Sequence, residues 1–555
     1  MERKYVIGLD YGTLSGRAVI VDCDCGEIIA TSVKRYEHGV LESELPSGKT
    51  LPAGEWALQV PQDYMEVLKA VVPDVVKKSG VDKQDIIGIG LDFTSCTILP
   101  VDKNNVPLCM LEAFREEPHA YVKLWKHHGA QEQADRVSSL LAKKSEIYSA
   151  QYGGRISSEL LLPKIMQILE EAPEIYEAAD QILEAGDWMT QCMTGGKMRS
   201  ADMAGYKAMW NPDKGYPSED FLYELNPALK NLVREKLGNE IAMAGECVGQ
   251  LTENWASQLG LSAGIPVSAA LIDSHAGLPG SGVTGSEQMM MVLGTSSVML
   301  TLSKNRYAGN GIVSGAKGAV FPDNFALESG IAAVGDMFGW YIENMVPYKY
   351  VKDAEKSGKD IHTYLSEKAS ELVPGASGII ALDWWNGNKT PYIDGRLSGV
   401  LVGCTLNTKP EEIYRALLEA TAFGTRQILE LFMENQSDIH MVIASGGIVE
   451  KNPLMMQIYA DVLKCEIRQP SSDQTAALGA SICAAAAAGE AMGGYASVGA
   501  AIKKMSHLKK KVYYPDVENT KRYDRMFSVY CELVKLFNPN STSIMKKLSA
   551  FSHRK

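Results

Sequence analysis

The sequence lacks both common nucleotide signatures: there is no G-x-x-x-x-G-K-[ST] phosphate loop, and no G-x-G-x-x-G directly after a strand. It lacks a zinc spacing as well, since its ten cysteines are scattered and only Cys23 and Cys25 lie close together. Long apolar runs are also missing. The longest stretch, "AALGASICAAAAAG" at 476–489, is shorter than the ~18–20 residues of a membrane span and consists of small residues, so it predicts a closely packed helix. Met1-Glu2-Arg3-Lys4 runs straight into Tyr5-Val6-Ile7, leaving no room for a charged leader, an apolar core and a cleavage site. The expectation is a cytoplasmic protein with reduced thiols. Neither sign of charge dominates: 55 Lys and Arg stand against 67 Asp and Glu, a net −12 that speaks against non-specific nucleic-acid or membrane binding.

What is present is an ordinary globular composition, 46% hydrophobic and 22% charged, on a chain of 555 residues that is too long for one core. The first segment reads as strands at 5–10, 17–22 and 27–36, a helix near 62–79, and a buried strand within "DIIGIGLDFTSC" at 85–96. Residues 112–262 read as a helical elaboration of a first domain, 1–262. "GIPVSAALIDSHAGLPGSG" at 264–282 then starts again like a strand and opens a second domain, 263–555, ending in a basic helical tail. "LDYGTLSGRAVIV" and "MVLGTSSVMLTL" both set Gly-Thr and a nearby Ser between apolar strands. A duplicated α/β fold with two phosphate hairpins is the functional reading of that similarity, and two unrelated turns the plain one.

Asp10, with Gly12 and Thr13 after it, is suited to a water-bridged magnesium ion beside backbone N–H groups that face phosphate, although Asp-x-Gly also marks ordinary turns. Asp273 ends the expected strand 266–272, where a carboxylate can accept a proton from a substrate hydroxyl. His275 reads as a satisfied core histidine, and His127-His128 as an exposed helical face. Gly446-Gly447, before a helix with Asn452 as N-cap and Pro453 at its first position, leave backbone bare for a ring or ribose. Lys207, Glu328 and the Asp187-Trp188 pair are polar groups in apolar settings of the kind that a buried sugar requires.

The ordered set "GLDYGTLSGRAVIVD", "GIGLDFTSCTILPVD", "YGGRISSELLLPKI", "DSHAGLPGSG", "VLGTSS", "ALESGIAAVGDMFGW" and "ASGGIVEKNPLMMQIYADVL" resembles the FGGY carbohydrate kinases from residue 5 to about 490. "LWKHHGAQEQAD", "GYKAMW", "DWWNGNKTPYIDGRLSGV" and "EATAFGTRQILE" point toward family members acting on L-ribulose. The resemblance implies two ribonuclease H-like domains of the actin and hexokinase superfamily around a central cleft. It implies ATP and Mg²⁺, with phosphorylation of L-ribulose to L-ribulose 5-phosphate in L-arabinose catabolism. By the same resemblance, Asp273 is the general base and Asp10 the metal-associated acid. Gly12 and Thr13 form the first phosphate loop, and Gly294, Thr295 and Ser296 the second. Gly446, Gly447 and Asn452 lie on the adenosine side, and Ser95, Lys207 and Glu328 join Asp273 as sugar contacts. Leu160 and Ile331 depart from the family pattern at positions bearing on fine substrate preference. Other readings are a kinase for D-ribulose, D-xylulose or ribitol, or a non-catalytic sugar and ATP sensor. The expected partners are a sugar and MgATP, with no nucleic acid or membrane, and the reading admits a homodimer.

Overall fold

The computed structural model describes residues 3–144, 146–307, 309–434, 438–538 and 544–551. The chain forms two compact units. One comprises Met1–Thr284, Ser314–Ala326 and Gln474–His507; the other comprises Gly285–Val313, Leu327–Asp473 and Leu508–Lys555. The expected boundary at 262/263 falls inside the first unit, just before a strand that hydrogen-bonds into its sheet.

The first unit is built on a mixed sheet. Strands β1 (Tyr5–Tyr11), β2 (Ser15–Asp22) and β3 (Ile28–Arg35) form an antiparallel meander, and β4 (Ile86–Phe93) pairs parallel to β1. Beyond β4 lie β5 (Cys247–Gln250) and β6 (Pro266–Ser268), while β7 (Leu271–Ile272) also pairs with β4. Every residue of β4 is buried, as a continuous apolar run on a doubly covered parallel strand predicts. The helix Pro61–Ser79 covers one face with Tyr64, Val67, Leu68, Val71 and Val75, and ends at Gly80 in the left-handed conformation, φ 67°. The alanine-rich helix Thr475–Ala488 packs on β1 and β4. Contact there is so close that a Cβ on Gly8 would meet the Ala477 carbonyl at 2.2 Å, and one on Gly90 the Ala480 carbonyl at 2.0 Å. The small-residue run therefore serves backbone approach.

The expected strand 266–272 is interrupted: Ala269 and Ala270 separate β6 from β7, and Asp273 becomes the first residue of the helix Asp273–Ser281. The segment 112–262 is less purely helical than its charged, periodic texture suggests, for it contributes Gln181–Glu184 to a second small sheet and β5 to the main one. His127 is buried rather than exposed, with Nε2 2.9 Å from Gln167 Oε1 and its ring 5.2 Å from that of Trp56; it lies in a turn, outside the following helix Gln131–Lys144.

The second unit repeats the plan. Strands β8 (Gln288–Leu293) and β9 (Ser297–Ser303) form a hairpin, β11 (Met441–Ser445) runs parallel to β8, and β10 (Phe325–Ile331) and β12 (Glu466–Arg468) complete the order β10-β9-β8-β11-β12. Both sheets thus share a hairpin whose first strand has a parallel neighbour on its other edge. The helix Pro410–Glu434 carries Phe423, against which Tyr523, Phe527 and Tyr530 of the helix Val517–Phe537 pack. The tail is therefore core-forming through 537, and a further helix spans Ile544–Phe551. Residues 552–555 of the expected basic tail lie outside the described residues, as do Met1 and Glu2.

Candidate active site

In the first unit, sheet register assembles the acids. Asp10 of β1 stands opposite Arg17 across the hairpin, with Arg17 Nε 3.3 Å from its Oδ2, and opposite Asp92 across the parallel pair with β4. Leu271 of β7 is also in register with Asp92, so Asp273 emerges beside the same strand end. Asp92, missed by the sequence reading, is wholly buried; among the described residues no N–H or alcohol group donates to its carboxylate oxygens, and its hydrogen-bonding neighbour is the carboxyl of Asp10. Burial, then the charges of Asp10 and Asp273, push its carboxyl well above the usual range. Burial likewise raises Asp10, against the opposing pull of Arg17.

Asp273 is raised to about 6, chiefly by burial and further by Asp10; the Ser274 N–H, donating at 2.6 Å, and the charges of His275 and Lys207 act the other way. Lys207 ends the helix Ala201–Lys207, and its charge is felt at Asp273 and at Cys96, next to Ser95 in the loop after β4. The first unit thus gathers Asp10, Asp273, Lys207 and the Ser95 loop. His275 is a core histidine, with Nδ1 2.5 Å from Asp202 Oδ1, while Asp202 Oδ2 accepts the Ile272 N–H at 2.8 Å and so ties β7 to the helix. Asp187 is structural too: it faces Arg199 Nε at 3.2 Å and accepts the Ser200 N–H at 2.7 Å. Gly12 and Thr13 form the first hairpin's turn, where Gly12 N–H donates to Ser15 O at 3.0 Å and Trp125 Nε1 to Thr13 Oγ1 at 3.2 Å.

The second unit holds a cavity of about 780 Å³ whose lining includes Gly294, Gly447 and Asn452. Gly294, Thr295 and Ser296 are the exposed turn of the second hairpin; the Val334 N–H donates to Thr295 O at 2.7 Å and the Gly335 N–H to Gly294 O at 3.0 Å, fixing that turn to a helix start. Gly446 has φ +107°, and a Cβ there would come within 2.3 Å of the Leu293 carbonyl. Asn452 caps the helix Pro453–Leu463 by accepting from Met455 N–H at 3.0 Å, and its Nδ2 donates to Ser366 Oγ at 3.1 Å. Phe338, His362 and Tyr414 add aromatic walls that sequence reasoning did not find. They come from three separate helices; Phe338 and Tyr414 read locally as core residues, and His362 as an exposed helix residue. A cavity with ring-bearing walls, a bare glycine turn and a few polar groups suits a nucleoside with phosphates. Glu328 sits half-buried on β10, its backbone bridged both ways to Val313. Leu160 and Ile331 are both buried.

Among the described residues, no cluster of three or more His, Cys, Asp or Glu side chains could hold a metal by itself. The adjoining carboxyls of Asp10 and Asp92, the latter without an N–H or alcohol donor, do fit an ion that arrives with nucleotide phosphates, because magnesium in such sites takes one or two carboxylates from the protein.

Residues 5–280 match the FGGY family of carbohydrate kinases, N-terminal domain, and residues 289–488 match the C-terminal domain of the same family. The chain belongs to the FGGY family of carbohydrate kinases. This FGGY kinase is 48% identical to the ribulokinase of Bacillus licheniformis, over 96% of this chain and 97% of that protein. It is 44% identical to the ribulokinase of Halalkalibacterium halodurans, over 99% of this chain and 98% of that protein. A solved xylulose kinase from Rhodospirillum rubrum shares its fold with a TM-score of 0.79 at 20% identity, covering 97% of this chain and 99% of that one. A gluconate kinase from Lactobacillus acidophilus does so with a TM-score of 0.79 at 16% identity, covering 99% of this chain and 100% of that one. The FGGY kinase fold, with mixed α/β sheets of the actin and hexokinase type, is thus the one expected from the sequence.

Proposed function

We propose that this FGGY kinase transfers the γ-phosphoryl group of MgATP to the terminal hydroxyl of L-ribulose, giving L-ribulose 5-phosphate and ADP in L-arabinose breakdown. The observation that carries the choice of sugar is the near full-length likeness to ribulokinases at 48% and 44% identity.

Asp273 is the proposed general base. With its carboxyl at about 6, it is ionised at neutral pH yet holds a proton more tightly than a solvated aspartate, which suits a hydroxyl losing its proton late in the reaction. The O5–H proton passes to Asp273, an O5 lone pair forms the bond to the γ-phosphorus, and the bond from that phosphorus to the bridging oxygen breaks to leave ADP. Lys207, with Ser95 and Glu328, orients the sugar hydroxyls. The glycine-lined turn at 294–296 and the cavity lined by Gly447 and Asn452, next to Gly446, take the nucleotide, with Gly12 and Thr13 as the other phosphate turn. FGGY sugar kinases use ATP, generally with a divalent metal. Asp10 is assigned to magnesium, which when bound with the nucleotide supplies positive charge for the phosphoryl oxygens.

Among the described residues no helix is long and apolar enough to cross a membrane. A cytoplasmic enzyme is proposed, and a homodimer is compatible with the reading.

The test is ADP release from MgATP with L-ribulose, D-ribulose, D-xylulose and ribitol in turn. The highest kcat/KM is expected for L-ribulose. A higher value for another acceptor reassigns the sugar, and no acceptor-dependent release at all supports the sensor reading.

A further inference from the structure

The motif "YGGRISSELLLPKI" has no part in the proposed chemistry, yet it delivers a fully buried cation to the sugar loop. Lys164 lies on the helix Leu161–Glu171, and its Nζ donates to the Cys96 carbonyl at 2.6 Å and to the Leu124 carbonyl at 2.9 Å. Cys96 immediately follows Ser95 and has φ +52°, a left-handed conformation that a non-glycine residue keeps only where its surroundings hold it there. The rest of the turn is tied down as well. Thr94 and Thr97 share a hydroxyl hydrogen bond of 2.8 Å, Thr97 Oγ1 donates to the Ser95 carbonyl at 3.1 Å, and Ala185 N–H donates to Thr97 O at 2.7 Å.

The second carbonyl matters equally. Leu124 precedes Trp125, whose indole donates to Thr13 Oγ1 in the first hairpin's turn. One ammonium therefore joins the backbone of the sugar loop to the segment that braces the phosphate turn. Burying a lysine is costly, and backbone carbonyls alone compensate the charge incompletely. Burial lowers the pKa of Lys164 below the ordinary lysine value, and the Cys96 thiol and the buried Glu184, on the strand paired with the loop's exit at Ile98, act in the opposite direction. A residue of this cost, spent on a strained turn rather than on packing, points to placement of that turn.

We propose that Lys164 is a positioning residue for sugar binding: its ammonium holds the Ser95–Cys96 turn in its left-handed bend. The proposal rests on the reading that Ser95 meets the sugar, and it goes beyond that reading by naming what sets Ser95 in place.

A double-mutant cycle tests it with the full chain and L-ribulose as acceptor. Lys164→Met, similar in length and without donors, is expected to raise KM for L-ribulose about tenfold while KM for ATP stays within twofold. Lys164→Gln, which keeps a donor, is expected to fall between. In a Ser95→Ala background Lys164→Met is expected to add less than twofold. Equal fold-changes in both backgrounds overturn the positioning role while leaving Ser95 as a sugar contact. A Ser95→Ala variant with unchanged KM removes the sugar reading of the loop, and the proposal with it. A matching rise in KM for ATP, or failure of both Lys164 variants to fold as judged by circular dichroism, marks Lys164 as a general core group and also overturns it.

Discussion

Asp273 owes its character to where a single carboxylate sits. Burial raises it to about 6, and the negative charge of Asp10 works in the same direction. The sign follows directly: below about 6 the group carries a proton and cannot accept another, so kcat/KM falls about tenfold per pH unit on the acid side and levels off above. A pH profile of kcat/KM with L-ribulose should show that limb near 6, and a limb at the ordinary aspartate value near 4 would contradict the role given to burial. The shift also bears on stability. A carboxyl raised in the folded state adds stability at low pH and loses it as pH rises through about 6. Removing this charge at neutral pH therefore relieves the fold. Asp10 and Asp273 were legible because each follows an apolar run beside small residues. Asp92 was not, because no Gly-Thr turn follows it as Gly12-Thr13 follows Asp10, and only the pairing of β1 with β4 brings the two acids together.

At the level of elements, the turn after β11 is where backbone geometry bears on the proposed nucleotide site. Gly446 combines a φ of +107° with a neighbouring carbonyl where a Cβ would come within 2.3 Å. Gly446→Ala is expected to destabilise the protein by about 1–3 kcal/mol in denaturant unfolding and to raise KM for ATP at least tenfold, while sugar affinity measured by calorimetry stays near wild type. Unchanged ATP kinetics would remove this turn from the nucleotide site. The paired glycines and the Asn452-Pro453 helix start could be read from local sequence, since both act through backbone conformation within a few residues. The aromatic walls of the same cavity could not. Tyr414, for example, occupies a core-facing position of the helix Pro410–Glu434, and nothing in its own neighbourhood distinguishes it from a packing residue.

Across the whole molecule, duplication is the organising feature. The likeness between "LDYGTLSGRAVIV" and "MVLGTSSVMLTL" corresponds to two hairpins, β1–β2 and β8–β9, each with a parallel strand beside its first member. Chain order was a poorer guide to the two units, because Gln474–His507 returns to the first unit with its alanine-rich helix and Leu508–Lys555 to the second. Such returns depend on tertiary packing: the Thr475–Ala488 helix approaches the glycines of β1 and β4, strands more than 380 residues away in the chain. Assignment of catalysis to Asp273 of the first unit is the central claim, and it is tested by L-ribulose-dependent ADP release in wild type and Asp273→Asn at pH 7.5. The variant is expected to fold, to melt no lower than wild type, to bind L-ribulose with similar affinity by calorimetry, and to lose kcat by about 10²–10⁴-fold. Turnover within tenfold of wild type would contradict the assignment.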